Sequence, residues 1–368
     1  MRLRRPVTAG ALLIAIAAIA LTLLARLPAA GNASDVPPAL PASDGPLIVY
    51  REFGLAADAL YAADPDDPDG RVELALVAHA WGYGTFPSLS PDGDHIATTA
   101  VPPQGGPAQL QLLTIATGEA TLLAENVDLT APVWAPDGTA LVVRRSAPHG
   151  TNAELVRVDL DGEATTIVAA SAGLYPIEVS PDGGWLYYAS LTPAGTEAAR
   201  VSLAGGTPES LGRLSAGVAR DWDLSPDGSR LAYLAQTDGP TTFVAEVRDL
   251  ATGAASRPIA GLQFAPVWRN NVALTVGRLD AGPATAAAQV SLAGEAAAAP
   301  ALPAPDAGFD VPVSWSPDGE LLIVRNFLGT SAADPGPSFL VVVRPGGSRT
   351  PVSTSSDVAV AGWLEVTP

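Results

Sequence analysis

A four-residue turn sequence recurs along the chain at a fixed interval. Ser-Pro-Asp-Gly begins at residues 90, 180, 225 and 316, and the close copy Ala-Pro-Asp-Gly begins at residue 135. The starts at 90, 135, 180 and 225 are 45 residues apart, and the start at 316 follows after two such steps and one residue. A repeat of about 40–45 residues predicts the blades of a β-propeller, in which each repeat forms one small sheet that stacks on its neighbours.

The chemistry of the motif explains why it recurs. Proline presets φ for the second position of a tight turn, and glycine accepts the positive φ at its end. Serine and aspartate side chains can bond the turn's own amides. We therefore predict that each motif joins two antiparallel strands. The interpretation as a turn is favoured over metal binding or acid catalysis, because a site would need only one copy; the predicted structural aspartates are Asp92, Asp137, Asp182, Asp227 and Asp318.

The segments between the motifs follow one order of strands and turns. The unit that begins near residue 86 contains an inner strand and three further strands before the next unit. This pattern predicts an all-β fold of four-stranded antiparallel blades. Arg269-Asn270-Asn271 replaces the turn in one unit, so a six-bladed propeller is the alternative if that unit is a loop. Seven blades are favoured, with inner strands near residues 86, 132, 177, 222, 266, 313 and 361.

The two ends of the repeat region complement each other. The first unit has no inner strand, and the last, at residues 358–363, has nothing else. We predict a propeller over residues 47–367 whose terminal strands pair, which would remove exposed sheet edges. Tryptophans occupy the last position of four inner strands, where other blades carry aliphatic residues; we expect these tryptophans to be wedges between sheets rather than a sugar-stacking platform: Trp134, Trp268, Trp315 and Trp363.

The N-terminus predicts export or anchoring. Three arginines in residues 1–5 precede Val7 to Ala25, which is apolar apart from two threonines. As a helix this stretch would be about 28 Å long, close to the hydrocarbon thickness of a bilayer. An uncleaved signal-anchor over residues 1–33 is favoured over a cleaved signal peptide, and the Pro/Ala/Ser-rich residues 34–46 are a predicted tether. In both cases the propeller is expected outside the cytoplasm.

Composition excludes several function classes. The chain contains no cysteine and no lysine, which excludes disulfides, thiolate metal sites, Schiff bases and a phosphate-loop lysine. After residue 33 it carries 16 arginines and 38 acidic residues, a net charge of 16 − 38 = −22 that disfavours nucleic-acid binding. The three histidines fall in different blades and no His-Glu-x-x-His occurs, so no metal and no cofactor are expected.

Candidate binding residues lie on loops that enter the inner strands and on hairpins between second and third strands, which share one face. One group of arginines with His149 could receive an acidic peptide or be solvated loop charge. A second group breaks the apolar inner-strand pattern and could form a channel site or a structural ion pair. The candidates are Trp81 and Tyr83; Arg144, Arg145 and His149; and Glu178, Arg220, Asp221 and Asp223.

The Ser-Pro-Asp-Gly turns and their preceding strands resemble the WD40-like repeat in which Pro-Asp replaces Trp-Asp. This repeat is familiar from the propellers of TolB-like proteins and of prolyl oligopeptidase-type peptidases. The resemblance covers about residues 46–367 and implies a propeller fold. TolB-like proteins carry an α/β domain before the propeller, whereas here a tether precedes Leu47, and no Gly-x-Ser-x-Gly of a hydrolase occurs. We therefore do not expect this chain to have the complete function of a TolB-like protein or the complete activity of such a peptidase.

These observations favour a monomeric, membrane-tethered, extracytoplasmic propeller that binds a protein or peptide partner without catalysis. The alternative is a small-ligand sensor, or an enzyme of lyase or hydrolase type, with a site in the central funnel around Glu178, Asp221 and Asp223.

Overall fold

A computed structural model of the chain describes residues 39–146, 152–237, 239, 242–261, 263–278, 284–292 and 301–366. Every regular element in this part of the chain is a β-strand. The described residues contain no helix that is long and apolar enough to cross a membrane. The predicted signal-anchor, residues 1–33, and the first part of the tether lie outside the described residues.

The strands form seven sheets, which confirms the seven-bladed propeller. Blade 1 pairs the last strand of the chain with the first three, in the order β28-β1-β2-β3: Val358–Leu364 (β28), Leu47–Glu52 (β1), Ala57–Asp64 (β2) and Asp67–Ala78 (β3). Blades 2 to 5 each contain four consecutive antiparallel strands. Blade 2 contains Phe86–Leu89 (β4), His95–Ala100 (β5), Gln109–Thr114 (β6) and Ala120–Glu125 (β7). Blade 3 contains Val133–Trp134 (β8), Ala140–Ser146 (β9), Asn152–Asp159 (β10) and Ala164–Ala172 (β11).

The next two blades continue this order. Blade 4 contains Leu174–Val179 (β12), Trp185–Thr192 (β13), Gly195–Ser202 (β14) and Glu209–Ser215 (β15). Blade 5 contains Ala219–Leu224 (β16), Arg230–Gln236 (β17), Phe243–Asp249 (β18) and Ala255–Ser256 (β19).

Blades 6 and 7 depart from the four-strand pattern within the described residues. The sheet of blade 6 has three strands: Gln263–Asn270 (β20), Ala273–Arg278 (β21) and Ala288–Ser291 (β23). Blade 7 contains Gly308–Trp315 (β24), Leu322–Phe327 (β25), Ser338–Val343 (β26) and Arg349–Ser353 (β27). A fifth strand, Ala284–Thr285 (β22), pairs in parallel with β24 and so links the two blades by backbone hydrogen bonds.

The Ser-Pro-Asp-Gly hairpins have the predicted turn chemistry. In the turn at residue 180, the Ser180 hydroxyl donates to Asp182 Oδ1 at 2.5 Å and accepts from the Trp185 N–H at 2.9 Å. Asp182 Oδ1 also accepts from the Gly184 N–H at 3.0 Å, and Gly183 has a φ of 72°. The same hydrogen bonds recur in the turns at 90, 225 and 316, so the motif fixes the register of the first two strands of blades 2, 4, 5 and 7.

The hydrophobic core lies between the blades. Seven buried clusters occur in the described part of the chain, and each joins side chains of two neighbouring blades, including blades 7 and 1. The four tryptophans at the ends of inner strands reinforce these junctions, because the indole N–H of each donates to the preceding blade. The acceptors are Ser88 O for Trp134, Asp223 O for Trp268, Thr275 Oγ1 for Trp315 and Ser314 Oγ for Trp363. The wedge interpretation of the tryptophans is therefore confirmed.

Candidate functional site

The order of the strands gives the propeller two different faces. The loop face carries the connections that enter the inner strands and the hairpins between second and third strands. The turn face carries the Ser-Pro-Asp-Gly hairpins and the hairpins between third and fourth strands. Acidic residues in the described connections concentrate on the turn face, with eleven there (Asp66, Asp92, Asp94, Glu119, Asp137, Asp161, Glu163, Asp182, Asp227, Asp318 and Glu320) and four on the loop face (Asp128, Asp306, Asp334 and Asp357).

Exposed apolar side chains have the opposite distribution. Thirteen large hydrophobic side chains are exposed in the described residues. One of them, Val272, lies in a connection of the turn face. Eight lie in the loop-face connections or within two residues of them: Leu55, Trp81, Tyr83, Phe86, Tyr175, Leu191, Val218 and Leu328. Among the described connections, the loop face is therefore the more apolar and the less acidic of the two faces.

The largest exposed side chain of this face belongs to the loop between blades 1 and 2, residues 79–85, here called the aromatic loop. Trp81 is 72% exposed, Tyr83 is 48% exposed, and Leu55 of the adjacent hairpin is 55% exposed. The Gly82 N–H donates to Leu55 O at 2.9 Å, which holds the aromatic loop against that hairpin. The sequence identified Trp81 and Tyr83 as candidates, but it gave no signal that Leu55 lies beside them.

A buried carboxylate fixes both ends of the aromatic loop. Asp58 is fully buried; its Oδ1 lies 3.0 Å from His79 Nε2, and its Oδ2 accepts from the N–H and hydroxyl of Thr85 at 2.7 and 2.9 Å. Arg51 supplies the opposing charge, with Nε 3.6 Å from Asp58 Oδ2. The exposed aromatic side chains therefore project from a loop whose two ends are held in place.

The predicted cluster of basic residues in blade 3 is satisfied internally. Arg144 forms an ion pair with Asp128, donates from Nε to Leu174 O at 2.7 Å, and lies 5.0 Å from the centre of the Tyr175 ring. Arg145 pairs with Glu154 at 2.6 Å. His149 lies outside the described residues. The two arginines thus connect parts of the protein and do not form one free basic patch.

Glu178 and Asp223 occupy matching positions on the inner strands of blades 4 and 5, two residues before the turn serine. Burial and the neighbouring Asp223 carboxylate raise the pKa of Glu178 well above its usual value, against the effect of the Leu224 N–H. Burial raises the pKa of Asp223 to about 7, although the Trp268 N–H favours the charged form. Burial therefore favours the protonated form of both carboxylates.

A bulge in β16 brings Arg220 and Asp221 to the rim of a pocket on the loop face. The pairing of β16 with β17 shifts register between Arg220 and Asp223, and Asp221 has a φ of 52°, a left-handed conformation uncommon for a non-glycine residue. Arg220 Nη1 lies 3.3 Å from Asp221 Oδ2, and its guanidinium lies 4.4 Å from the centre of the Phe243 ring.

The floor of this pocket is aromatic. The Phe264 and Phe309 rings stack with centres 5.1 Å apart, and the Phe309 and Phe327 rings stack at 5.4 Å. Together with Arg220 and Asp221 they line a pocket of about 320 Å³, which we call the phenyl pocket. Sequence analysis identified the charged rim but not this floor, because the three phenylalanines come from two blades and meet only in the folded ring.

No group of three or more metal-ligating side chains lies close enough to hold a metal ion within the described residues. No protein-family model matches the sequence, and no curated protein matches it. Solved structures with the same fold do match.

TolB from Acinetobacter baumannii is similar with a TM-score of 0.55 and 16% identity, over 87% of this chain and 66% of that one. Prolyl oligopeptidase B from Galerina marginata has a TM-score of 0.58 and 11% identity, over 85% and 52%. An oligogalacturonate lyase from Vibrio parahaemolyticus has a TM-score of 0.54 and 15% identity, over 81% and 91%. The chain thus spans less than two thirds of the first two structures. At these identities the likeness establishes the fold alone, and that fold is a TolB-like seven-bladed β-propeller.

Proposed function

We propose that the propeller is a binding module that holds a protein or peptide partner on its loop face, with the aromatic loop at the centre of the contact. The single observation that carries the proposal is the 72% exposure of Trp81 on a loop anchored at both ends. Tryptophan and tyrosine dominate the energetics of protein interfaces, and a rigid aromatic side chain loses little entropy on binding.

The distribution of charge supports this choice of face. Like charges on the turn face repel acidic surfaces and bind water strongly, whereas the described connections of the loop face carry fewer acidic side chains that would have to be desolvated. Arg144 and Arg145 are already paired with carboxylates, so the proposed contact depends on the apolar side chains and not on those arginines.

The test is cross-linking of the tagged, full-length protein in its own cell envelope, followed by mass spectrometry. We expect a discrete partner with the wild type that is lost when Trp81→Ala and Tyr83→Ala are combined. The matched control is Leu122→Ala, which removes a half-exposed apolar side chain from the outer strand of blade 2. A partner that is captured equally by both variants, or no discrete partner with the wild type, would overturn the proposal.

We further propose that residues 7–25 anchor the protein in the membrane and that the propeller lies outside the cytoplasm. The positive flank at residues 1–5 supports this orientation. A protease added to cells whose cytoplasmic membrane is intact, and whose outer envelope layers admit the protease, should remove a C-terminal tag. Protection of the tag until the cytoplasmic membrane is lysed would contradict the orientation, and a mature N-terminus at Ser34 would show a cleaved signal instead of an anchor.

A second candidate function is acid–base chemistry or small-ligand binding in the central funnel. The observation that favours it is the raised pKa of both Glu178 and Asp223, since paired carboxylates with separate protonation states can act as acid and base. Prolyl oligopeptidase B and the oligogalacturonate lyase, two of the similar structures, are named as enzymes, so peptides and oligogalacturonate are the first substrates to try. Turnover that is lost in Glu178→Gln would support this function, and turnover unaffected by that change would exclude these carboxylates from it.

A further inference from the structure

The phenyl pocket and its charged rim suggest a ligand of a definite class. We propose that this pocket binds a free aromatic α-amino acid, with the ring on the phenylalanine floor, the carboxylate on Arg220 and the ammonium on Asp221. The site lies on blades 5 to 7, away from the aromatic loop of blades 1 and 2, and the inference does not rest on the proposed partner surface.

The floor selects a flat apolar group. Phe264, Phe309 and Phe327 form a continuous stack, and Phe309 is almost completely buried, so the floor is held rigidly. A volume of about 320 Å³ is at the lower end of the range of ligand pockets, which suits one aromatic side chain and its backbone atoms. Aromatic rings pack on one another in offset or tilted arrangements that add to the energy of burial alone.

The rim offers one positive and one negative group at the spacing of an amino acid's own charges. Arg220 and Asp221 face each other at 3.3 Å, and their side chains are 48% and 37% exposed. A half-exposed ion pair of this kind contributes little stability, so exchanging it for two ligand contacts is favourable. An aromatic acid without an amine would leave the Asp221 carboxylate without a positive partner, and an aromatic amine without an acid would leave the Arg220 guanidinium without a negative one. Only a zwitterion offers a partner to both residues.

The guanidinium of Arg220 is available for such a contact. Its flat face packs on Phe243, which leaves its edge N–H groups directed away from the ring. Within the described part of the chain its other polar contact is Asp221. The left-handed backbone of Asp221 then places that carboxylate at the rim, instead of on the alternating face that a regular strand would give it.

The experiment is equilibrium dialysis or calorimetry on the full-length protein with four probes: L-phenylalanine, N-acetyl-L-phenylalanine, L-phenylalaninamide and L-alanine. We expect L-phenylalanine to bind at least about tenfold more tightly than each of the other three, as removal of a charge contact or of the ring predicts. In Arg220→Gln, L-phenylalanine and L-phenylalaninamide should bind equally well, while N-acetyl-L-phenylalanine should still bind more weakly than L-phenylalanine. In Asp221→Asn, N-acetyl-L-phenylalanine should bind as well as L-phenylalanine, while the amide should still bind more weakly. Asparagine is chosen at position 221 because it tolerates a positive φ.

Ala332→Trp provides a test that leaves the core untouched. Ala332 is exposed at the rim of the phenyl pocket, and a large side chain there should block binding of every probe. Ala333→Trp, at the exposed neighbouring position, should bind as the wild type does. Equal affinity for the acid and the amide, no binding of L-phenylalanine by the wild type, or full binding by Ala332→Trp would each overturn the inference.

Discussion

Two hydrogen bonds join Trp268 to Asp223, one from the tryptophan backbone to the aspartate side chain and one from the tryptophan side chain to the aspartate backbone. The Trp268 N–H donates to Asp223 Oδ2 at 2.5 Å, and the Trp268 indole N–H donates to the Asp223 carbonyl oxygen at 3.0 Å. A carboxylate of the inner strand of blade 5 therefore also connects this blade to blade 6.

This relationship predicts a pH-dependent stability. Because the folded pKa of Asp223 is raised to about 7, the folded state holds a proton that the unfolded state releases near pH 4, and stability falls as pH rises between these values. Asp223→Asn keeps an acceptor for the Trp268 N–H and removes the titration. We expect the free energy of unfolding of the variant, measured relative to that of the wild type, to be about 1–2 kcal/mol larger at pH 8 than at pH 5. The reason is that the charged Asp223 carboxylate of the wild type is only partly screened in the folded state.

Urea unfolding at the two pH values measures this difference. Asp94→Ala, on the exposed turn face, is the control and should show the pH profile of the wild type. A wild-type stability that rises from pH 5 to pH 8 relative to Asp223→Asn would contradict the assignment.

The turn aspartates predict the opposite pH dependence. The pKa of Asp318 is lowered by hydrogen bonds from the Ser316 hydroxyl and the Glu320 N–H, so its contribution is complete above the unfolded pKa and is lost as pH falls below about 4. Asp318→Ala should reduce the free energy of unfolding by about 0.5–1.5 kcal/mol at pH 7 and by less at pH 3. Glu320→Ala retains the N–H donor and should behave as the wild type at both pH values; an equal loss at pH 3 and pH 7 for Asp318→Ala would argue against the hydrogen-bonded carboxylate.

Tryptophans of the core and of the surface should respond differently to the same substitution. Trp315→Phe removes the indole donor of a buried hydrogen bond to Thr275 Oγ1 and leaves a cavity between blades 6 and 7, which should cost about 2–3 kcal/mol. Trp81→Phe alters a side chain that is 72% exposed and should change stability by less than about 0.5 kcal/mol. Chemical denaturation of both variants compares them directly, and similar losses for the two would refute the distinction.

The anchoring of the aromatic loop can be measured by hydrogen exchange. Asp58→Ala removes the acceptor of the Thr85 N–H and the partner of His79 and Arg51, and it should accelerate exchange of the amides of residues 79–85. We expect a loss of about 3 kcal/mol in global stability, because the remaining polar groups stay buried. Asp94→Ala should leave exchange in residues 79–85 unchanged, and unchanged exchange in Asp58→Ala would mean that another contact holds the loop.

The repeat was sufficient to predict the architecture, including the blade whose turn is degenerate. In that blade, Asn270 Oδ1 accepts from the Val272 and Ala273 N–H groups, so an asparagine supplies the hydrogen bonds that aspartate supplies elsewhere. The parallel pairing of Ala284–Thr285 with β24 was not predictable from a local pattern, since two residues carry no periodicity and their partners belong to the next blade.

The candidate site was predictable only in part, for a related reason. The charged residues at positions 220, 221 and 223 stood out because they interrupt an apolar strand. The partners of Arg144 and Arg145 did not stand out, because Asp128 and Glu154 are 16 and 9 residues away in sequence. Asp128 reaches Arg144 from a connecting loop, and Glu154 reaches Arg145 from the paired strand. Periodicity reveals which face a residue occupies within its own strand, whereas the phenyl pocket depends on how two blades and a bulge come together.

The pairing of the last strand with the first has a consequence for biosynthesis. Ile48 lies opposite Trp363, so blade 1 lacks its inner strand until residues 358–364 have been made. Up to that moment the inner edge of β1 is a row of unpaired amides and carbonyls beside an unfilled apolar junction, the kind of edge on which chains aggregate. Six blades can form in order from local hairpins, but the seventh requires contact between residues that are more than 300 positions apart, and we expect this ring closure to be slower than formation of the hairpins. A ribosome that stalls before residue 358 would release a ring with a gap.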